Sequence, residues 1–146
     1  MRCRYCMPRE IFGPGFVFTP RNELLSFEEI ALVVGAFARA GVRKVRLTGG
    51  EPLLRAGLPD LVAMVRAVPG IEDVALTTNG SLLTRQIEKL RAAGLTRVTV
   101  SLDTFDPALF SRIANTDISR DAVLDGIAAA AEAGFAPVKL NTVVPR

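Results

Sequence analysis

Cys3 and Cys6 are the only cysteines in the chain, and two residues separate them. A C-x-x-C pair suggests metal or redox chemistry rather than a disulfide scaffold. Half a zinc site, a thioredoxin-like pair and part of an iron–sulfur loop all share this spacing. Zinc needs two further Cys or His ligands, and the chain has no histidine and no third cysteine. A thioredoxin pair follows a strand and opens a helix, whereas here no strand pattern precedes Cys3 and Pro8 follows. Thiolate ligation of iron remains, and it requires more cysteines than these two. The lack of histidine also excludes Ser-His-Asp and Cys-His catalysis within the chain.

Gly49-Gly50-Glu51-Pro52 is the second candidate. Paired glycines allow unusual backbone dihedrals and let a ligand approach main-chain groups closely. Glu51 can accept from an ammonium, and Pro52 stiffens the exit. A plain turn is the competing reading. The string has neither the G-x-G-x-x-G spacing of a dinucleotide site nor the Gly-Lys-Ser/Thr of a P-loop.

The elements that position these residues follow from periodicity. Ser26-Phe27-Glu28-Glu29 is a capping-box signature, and Phe27, Ile30, Ala31, Val34, Phe37 and Ala38 recur at helical spacing before Gly41. Further helices are predicted over 59–68, 84–93, 107–114 and 121–133, and strands over 42–48, 74–78, 97–102 and 138–144. Gly13-Pro14-Gly15 marks the one substantial linker. Strands alternating with amphipathic helices imply parallel β/α units.

Alternation along the strands sorts their side chains. Val45 and Leu47 oppose Lys44, Arg46 and Thr48; Val74 and Leu76 oppose Thr77 and Asn79, with Ala75 on the polar side. Val98, Val100 and Leu102 oppose Thr99, Ser101 and Asp103, and Val138, Leu140 and Thr142 oppose Lys139 and Asn141. Parallel strands covered on both faces are normally apolar throughout. One apolar and one polar, cationic face predict an α/β fold, a partial or full β/α barrel with a ligand-filled interior; the rival is an open sheet with one solvated face. In a barrel, Thr48-Gly49-Gly50-Glu51, Thr78-Asn79-Gly80 and Ser101-Leu102-Asp103 stand at the C-terminal ends of strands, where active sites lie.

With 146 residues, 49% hydrophobic and 23% charged, the chain fits one globular domain. No apolar run reaches the roughly 20 residues of a membrane span, and the polar N-terminus does not read as a secretory signal, so a cytoplasmic protein is expected. The net charge of +3 suits an anionic small molecule, while the absence of a basic run argues against nucleic acid.

The strings Arg2-Cys3-Arg4-Tyr5-Cys6-Met7-Pro8, Arg46-Leu47-Thr48-Gly49-Gly50-Glu51-Pro52-Leu53, Leu76-Thr77-Thr78-Asn79-Gly80 and Val100-Ser101-Leu102-Asp103 resemble the radical S-adenosylmethionine (SAM) enzymes. Within them the resemblance is to the GTP 3′,8-cyclase family of molybdenum-cofactor biosynthesis, and Phe16-Val17-Phe18-Thr19-Pro20 through Ser26 resembles the segment that follows the cluster loop there. It covers essentially all 146 residues in order. The resemblance implies a (β/α)6 partial barrel of which about four units are present, with 1–146 as an incomplete core domain. It implies a [4Fe–4S] cluster on three cysteines and SAM as cofactors. A 5′-deoxyadenosyl radical then abstracts the 3′ hydrogen of GTP, and the sugar carbon closes onto C8. Residue by residue, it implies Cys3 and Cys6 as cluster ligands, Tyr5 (through its backbone), Gly50 and Ser101 as SAM contacts, and Arg46, Thr77 and Lys139 as GTP contacts, with Lys44 assisting. Lys139 depends on the strand register around Pro137, since a slip of one residue reverses its face. The implied partners are GTP, an electron donor and cyclic pyranopterin monophosphate synthase as the next enzyme, with a homodimer allowed in the full-length family and with no nucleic acid or membrane.

Plainer roles stand beside these: packing for Tyr5, sheet-end hydrogen bonding for Thr77 and Ser101, solvated surface charge for Lys44 and Arg46, and turn or cap duty for Asn79, Asp103 and Thr104. Other radical SAM maturases share Gly-Gly-Glu-Pro, and a non-catalytic remnant that only binds is the reading from another class. The family's first cluster cysteine belongs four positions before Cys3; its first strand and its C-terminal second-cluster region are likewise not among these residues. The expectation is that this polypeptide alone neither holds a stable cluster nor cyclises GTP. Anaerobic reconstitution with iron counting and a GTP turnover assay checks this, and sustained SAM-dependent product formation overturns it.

Overall fold

The computed structural model describes residues 1, 3, 5–8, 10–13 and 15–144, with only the backbone of residue 21. Arg2 and Arg4 of the cysteine motif and Pro14 of the linker lie outside the described residues. Helix α1 (Phe27–Arg39) precedes strand β1 (Lys44–Leu47); α2 (Leu58–Arg66), β2 (Asp73–Thr78), α3 (Leu83–Ala92) and β3 (Arg97–Ser101) follow. Two helices, α4 (Pro107–Ala114) and α5 (Arg120–Glu132), then lead to β4 (Lys139–Asn141). The strands pair in parallel in the order β1-β2-β3-β4. Contacts run α1 to α2, α2 to α3, α3 to α5 and α4 to α5, so the helices form one continuous layer. This is an arc of a β/α barrel.

Local chemistry sets the helix ends. Ser26 Oγ accepts from Glu29 N at 3.1 Å while Glu29 Oε2 accepts from Ser26 N at 2.7 Å, the expected capping box. Asp106 and Ser119 cap α4 and α5 through Leu109 N and Ala122 N. Three helices that feed strands end alike: Gly41, Gly94 and Gly134 have φ of 97°, 95° and 87°. The residues after them, Val42, Leu95 and Phe135, donate backward to Phe37, Leu90 and Ala130 carbonyls at 3.0 Å. That closure explains why β1 begins at Lys44 and not at Val42, since the Val42 amide is spent on the helix end. At the other limit β4 stops at Asn141 because the Thr142 hydroxyl donates to Leu102 O and Val143 N to the Asp103 carboxylate. Short 3₁₀ turns at Arg21–Glu23 and Pro52–Leu54 have no periodic signal in the sequence.

Val74, Leu76, Val98 and Val100 are at most 1% exposed and pack with Leu61, Val62 and Val65 of α2 and Leu83, Ile87 and Leu90 of α3. Burying a side chain of this size is worth about 1.5–3 kcal/mol, and this layer forms the core. The register Arg46↔Ala75↔Arg97 and Thr77↔Thr99↔Lys139 puts the polar set in one phase on the opposite face. Asp73 on that face is bonded by Thr96 and Arg97; burial pushes its carboxyl up, but those bonds and the Arg97 charge outweigh it and hold it below the usual range. Among the described residues no helix is long and apolar enough to cross a membrane.

Helix α5 approaches the residues that follow β2 closely. Gly80 has φ of 82°, and a Cβ there would meet Val100 Cγ1 at 2.8 Å. A Cβ on Gly126 would press into the Gly80 carbonyl oxygen, a backbone atom that cannot turn aside. Gly126→Ala is expected to destabilise the chain by a net of roughly 1–3 kcal/mol even though alanine is the better helix former. A lowered urea midpoint at unchanged slope is the expected measurement.

Candidate functional site

Arg46, Thr77 and Lys139 all stand on the polar sheet face, and the first two touch. Arg46 Nη1 donates to Thr77 Oγ1 at 2.9 Å and to Thr99 Oγ1 at 3.1 Å, reaching across β2 to β3. Lys139 is the register partner of Thr99, which places it on the same face. Lys44 sits opposite Asp73 at the N-terminal ends of the strands, and their charges interact, so it lies at the far end from the glycine loop. No described carboxylate lies within ion-pair distance of Arg46 or Lys139; the ion pairs found join Arg43–Glu72, Arg97–Asp73 and Arg120–Asp121.

Gly49 and Gly50 follow β1 at its C-terminal end. Gly49 has φ of 150°, while Gly50 has no such demand, and a Cβ on Gly50 would meet nothing within 4 Å. Within the described residues neither backbone nor packing requires a glycine at 50; its bareness leaves main chain open to approach from outside. Glu51 differs from the sequence expectation. Its Oε1 accepts from Thr78 Oγ1 at 2.6 Å and Leu53 N at 3.1 Å, and its Oε2 from Asn79 N at 2.8 Å. The carboxylate is committed to internal donors and fastens the glycine loop to the end of β2. Ser101 is the last residue of β3, half-buried on the polar face.

Cys3 and Cys6 lie on one turn, in which Cys6 N and Met7 N donate to Cys3 O at 3.0 and 2.8 Å. Both thiols are free. Tyr5, 52% exposed, donates its hydroxyl to Asp103 Oδ2 at 2.8 Å, and Asp103 Oδ1 accepts from Val143 N at 2.9 Å. That carboxylate ties the cysteine turn to the exits of β3 and β4. Burial, then the Asp103 charge, push the Cys3 thiol up, and burial with the bond to Asp103 raises the Tyr5 phenol. Among the described residues no three Cys, His, Asp or Glu groups cluster tightly enough to hold a metal ion.

Two residues of this arrangement carry more than their sequence pattern indicated. Thr99 fell on the polar face by alternation, but only the register shows that it faces Thr77 and receives Arg46. Asp103 read as a turn residue, and its partner Tyr5 is 98 positions away. A groove of about 430 Å³ between Arg55, Asp60, Gln86 and Lys89 involves none of these residues.

The profile of the radical SAM superfamily matches residues 1–146. The chain belongs to the radical SAM superfamily. It is 68% identical over 146 residues to the GTP 3′,8-cyclase of Acidothermus cellulolyticus, covering 100% of this chain and 40% of the relative. The GTP 3′,8-cyclase of Staphylococcus carnosus is 49% identical over 145 residues, covering 99% of this chain and 42% of the relative. The radical SAM chain thus spans about two-fifths of the length of these curated relatives. Among solved structures, methylornithine synthase (PylB) superposes with a TM-score of 0.68 at 21% identity, over 92% of this chain and 37% of that one. BtrN, solved with AdoMet and 2-DOIA, gives 0.54 at 20% identity over 85% and 49%. These two likenesses show the fold alone.

Radical SAM membership implies a [4Fe–4S] cluster and SAM as cofactors. The donor chemistry agrees in kind: the thiols of Cys3 and Cys6 share one turn, with no histidine in the chain to suggest zinc. It falls short in number, because the chain supplies two of the three thiolates that such a loop requires. The Glu51 tie yields a direct check. Glu51→Gln turns one acceptor into a donor facing a donor, at a cost of about 1–3 kcal/mol for the stranded group. Amide exchange at Leu53 and Asn79 is expected to accelerate while the core strands keep their protection.

Proposed function

We propose that the chain forms part of the radical SAM core of a GTP 3′,8-cyclase. The observation that carries this reading is the joining of Arg46 to Thr77 on a face shared with Lys139, in a chain 68% identical over its whole length to such an enzyme. The substrate is GTP, the product is (8S)-3′,8-cyclo-7,8-dihydroguanosine 5′-triphosphate, and the step opens molybdopterin biosynthesis. Cyclic pyranopterin monophosphate synthase consumes the product, and an external electron donor is required. The setting is cytoplasmic, and the full-length family allows a homodimer.

Each side chain has a task in this reading. Cys3 and Cys6 would hold the cluster as two of its three thiolate ligands. When bound with SAM, the cluster supplies a 5′-deoxyadenosyl radical for the 3′ hydrogen of GTP. Tyr5, through its backbone, with Gly50 and Ser101 would hold SAM, the bare Gly50 backbone leaving room for its approach. Arg46, Thr77 and Lys139 contact the nucleotide, the two cations meeting its negative charge and Thr77 also bonding the Arg46 guanidinium. Hydrogen abstraction needs this placement more than it needs acid–base groups, which agrees with a site rich in arginine and threonine and free of histidine.

Exchanging this chain for the matching segment of the Acidothermus enzyme tests the reading. The chimera is expected to convert GTP under anaerobic, reducing conditions, and Cys3→Ala or Cys6→Ala to abolish both iron loading and turnover. Arg46→Ala is expected to raise KM for GTP roughly tenfold or more, the worth of about 1.5 kcal/mol or more for hydrogen bonds to a charged group. A well-folded, iron-loaded chimera that leaves GTP unchanged overturns the proposal.

A further inference from the structure

An exposed arginine samples many rotamers unless acceptors hold it, and the order it lacks must be imposed when a ligand binds. Arg46 is exposed and stands on a strand at the edge of the sheet, yet its guanidinium lies two strands inward. Both contacts that hold it use Nη1, one to Thr77 Oγ1 and one to Thr99 Oγ1. This nitrogen carries two hydrogens, so the pair of threonines occupies it fully. Nε and Nη2, which form the other edge of the fork, donate to no acceptor among the described residues, and no described carboxylate pairs with the group.

Two neighbours permit the reach. Ala75, the register partner of Arg46 on β2, is 2% exposed, and its methyl leaves the path over the sheet clear. Thr99 is 3% exposed, a buried hydroxyl on a face whose cations are solvated. A buried hydroxyl wants a partner, and Arg46 supplies it.

We propose that Thr99 is a positioning residue. With Thr77 it clamps Nη1 and thereby presents the Nε–Nη2 edge of Arg46 as a preformed fork for a phosphate group of the nucleotide. Side-on guanidinium geometry matches two phosphate oxygens, and the ammonium of Lys139, on the strand beside Thr99, adds a point charge on the other flank. The inference rests on reading this face as the nucleotide site, and the clamp itself is independent of which anion binds.

The 146-residue chain, Thr99→Val and Thr99→Ser are compared in two measurements. Valine keeps the branched shape and removes the acceptor, whereas serine keeps the acceptor. The first is the ¹⁵N heteronuclear NOE of the Arg46 Nε–H without ligand, which a merely structural threonine would not move. Order is expected to fall in Thr99→Val and to hold in Thr99→Ser, with thermal unfolding showing that all three are folded. The second is titration with GTP and with guanosine. Thr99→Val is expected to weaken GTP binding roughly 3- to 10-fold, as loss of one such hydrogen bond does, with guanosine unaffected and Thr99→Ser near the parent. Unchanged Arg46 order in a folded Thr99→Val protein overturns the clamp, as does equal loss of GTP and guanosine. Failure of the parent chain to prefer GTP over guanosine counts against the nucleotide reading instead, and the NOE still decides the clamp.

Discussion

Side chains leave a strand on alternate sides, and here four parallel strands keep the same phase across their pairing. Everything at the candidate site depends on that phase. Val45, Val74, Val98 and Leu140 turn one way, Val74 and Val98 buried under the helix layer and Leu140 41% exposed; Arg46, Thr77, Thr99 and Lys139 are then obliged to turn the other way. A slip of one residue in β1 would turn Lys44 and Arg46 toward the helix layer, and one in β2 would turn Asp73 and Thr77 there, at a cost no single apolar contact offsets. Core packing therefore enforces the register of the polar face, although no polar residue contributes much to the core. Stability and site geometry are one constraint expressed on two sides of a sheet.

Loops at the C-terminal ends need a different kind of restraint, because no ladder reaches them. Two carboxylates supply it. Glu51 draws the exit of β1 onto the exit of β2, and Asp103 draws the cysteine turn onto the exits of β3 and β4. Charge-assisted hydrogen bonds suit this work, since they are short, directional and stronger than neutral ones. A carboxylate accepting two or three such bonds can order irregular backbone that would otherwise sample many conformations. The consequence is functional: acidic side chains in this region are engaged as fasteners, which leaves the cations as the residues free to meet a ligand.

Most of the fold was legible because its signals are local. The capping box at Ser26, the helical spacing through Ala38 and the strand alternation are read within a window of a few residues, and the helices and strands stand within a few positions of where those patterns put them. The face of Lys139 was also legible once the strand was granted, and the observed register agrees. What escaped was set by contacts distant in the chain. Val42 reads as strand by composition, yet its amide is drawn back to Phe37. Glu51 next to two glycines reads as a ligand group, and only the folded sheet shows Thr78 and Asn79 waiting for it. Gly126 lies in an alanine-rich helix where periodicity assigns it no task; its reason is the carbonyl of Gly80, 46 positions earlier.

The polar face is not uniformly charged, and that asymmetry bears on what it can bind. At the N-terminal ends of the strands Asp73 is engaged by Thr96 and Arg97 and feels Lys44, so the two cations there have a carboxylate beside them. Farther along the face Arg46 has two hydroxyl neighbours, and neither it nor Lys139 has a described carboxylate within ion-pair distance. Glu51 and Asp103 stand at the strand exits but are bonded to internal donors, so an anion that reaches this face finds at Arg46 and Lys139 the cations that have no carboxylate partner among the described residues. Threonine is well suited to neighbour the guanidinium there. Its hydroxyl fixes the direction of the cation without neutralising it, whereas an aspartate in the same place would hold Arg46 more tightly and cancel the field that attracts the ligand. Orientation without neutralisation is the physical requirement that Thr77 and Thr99 meet together.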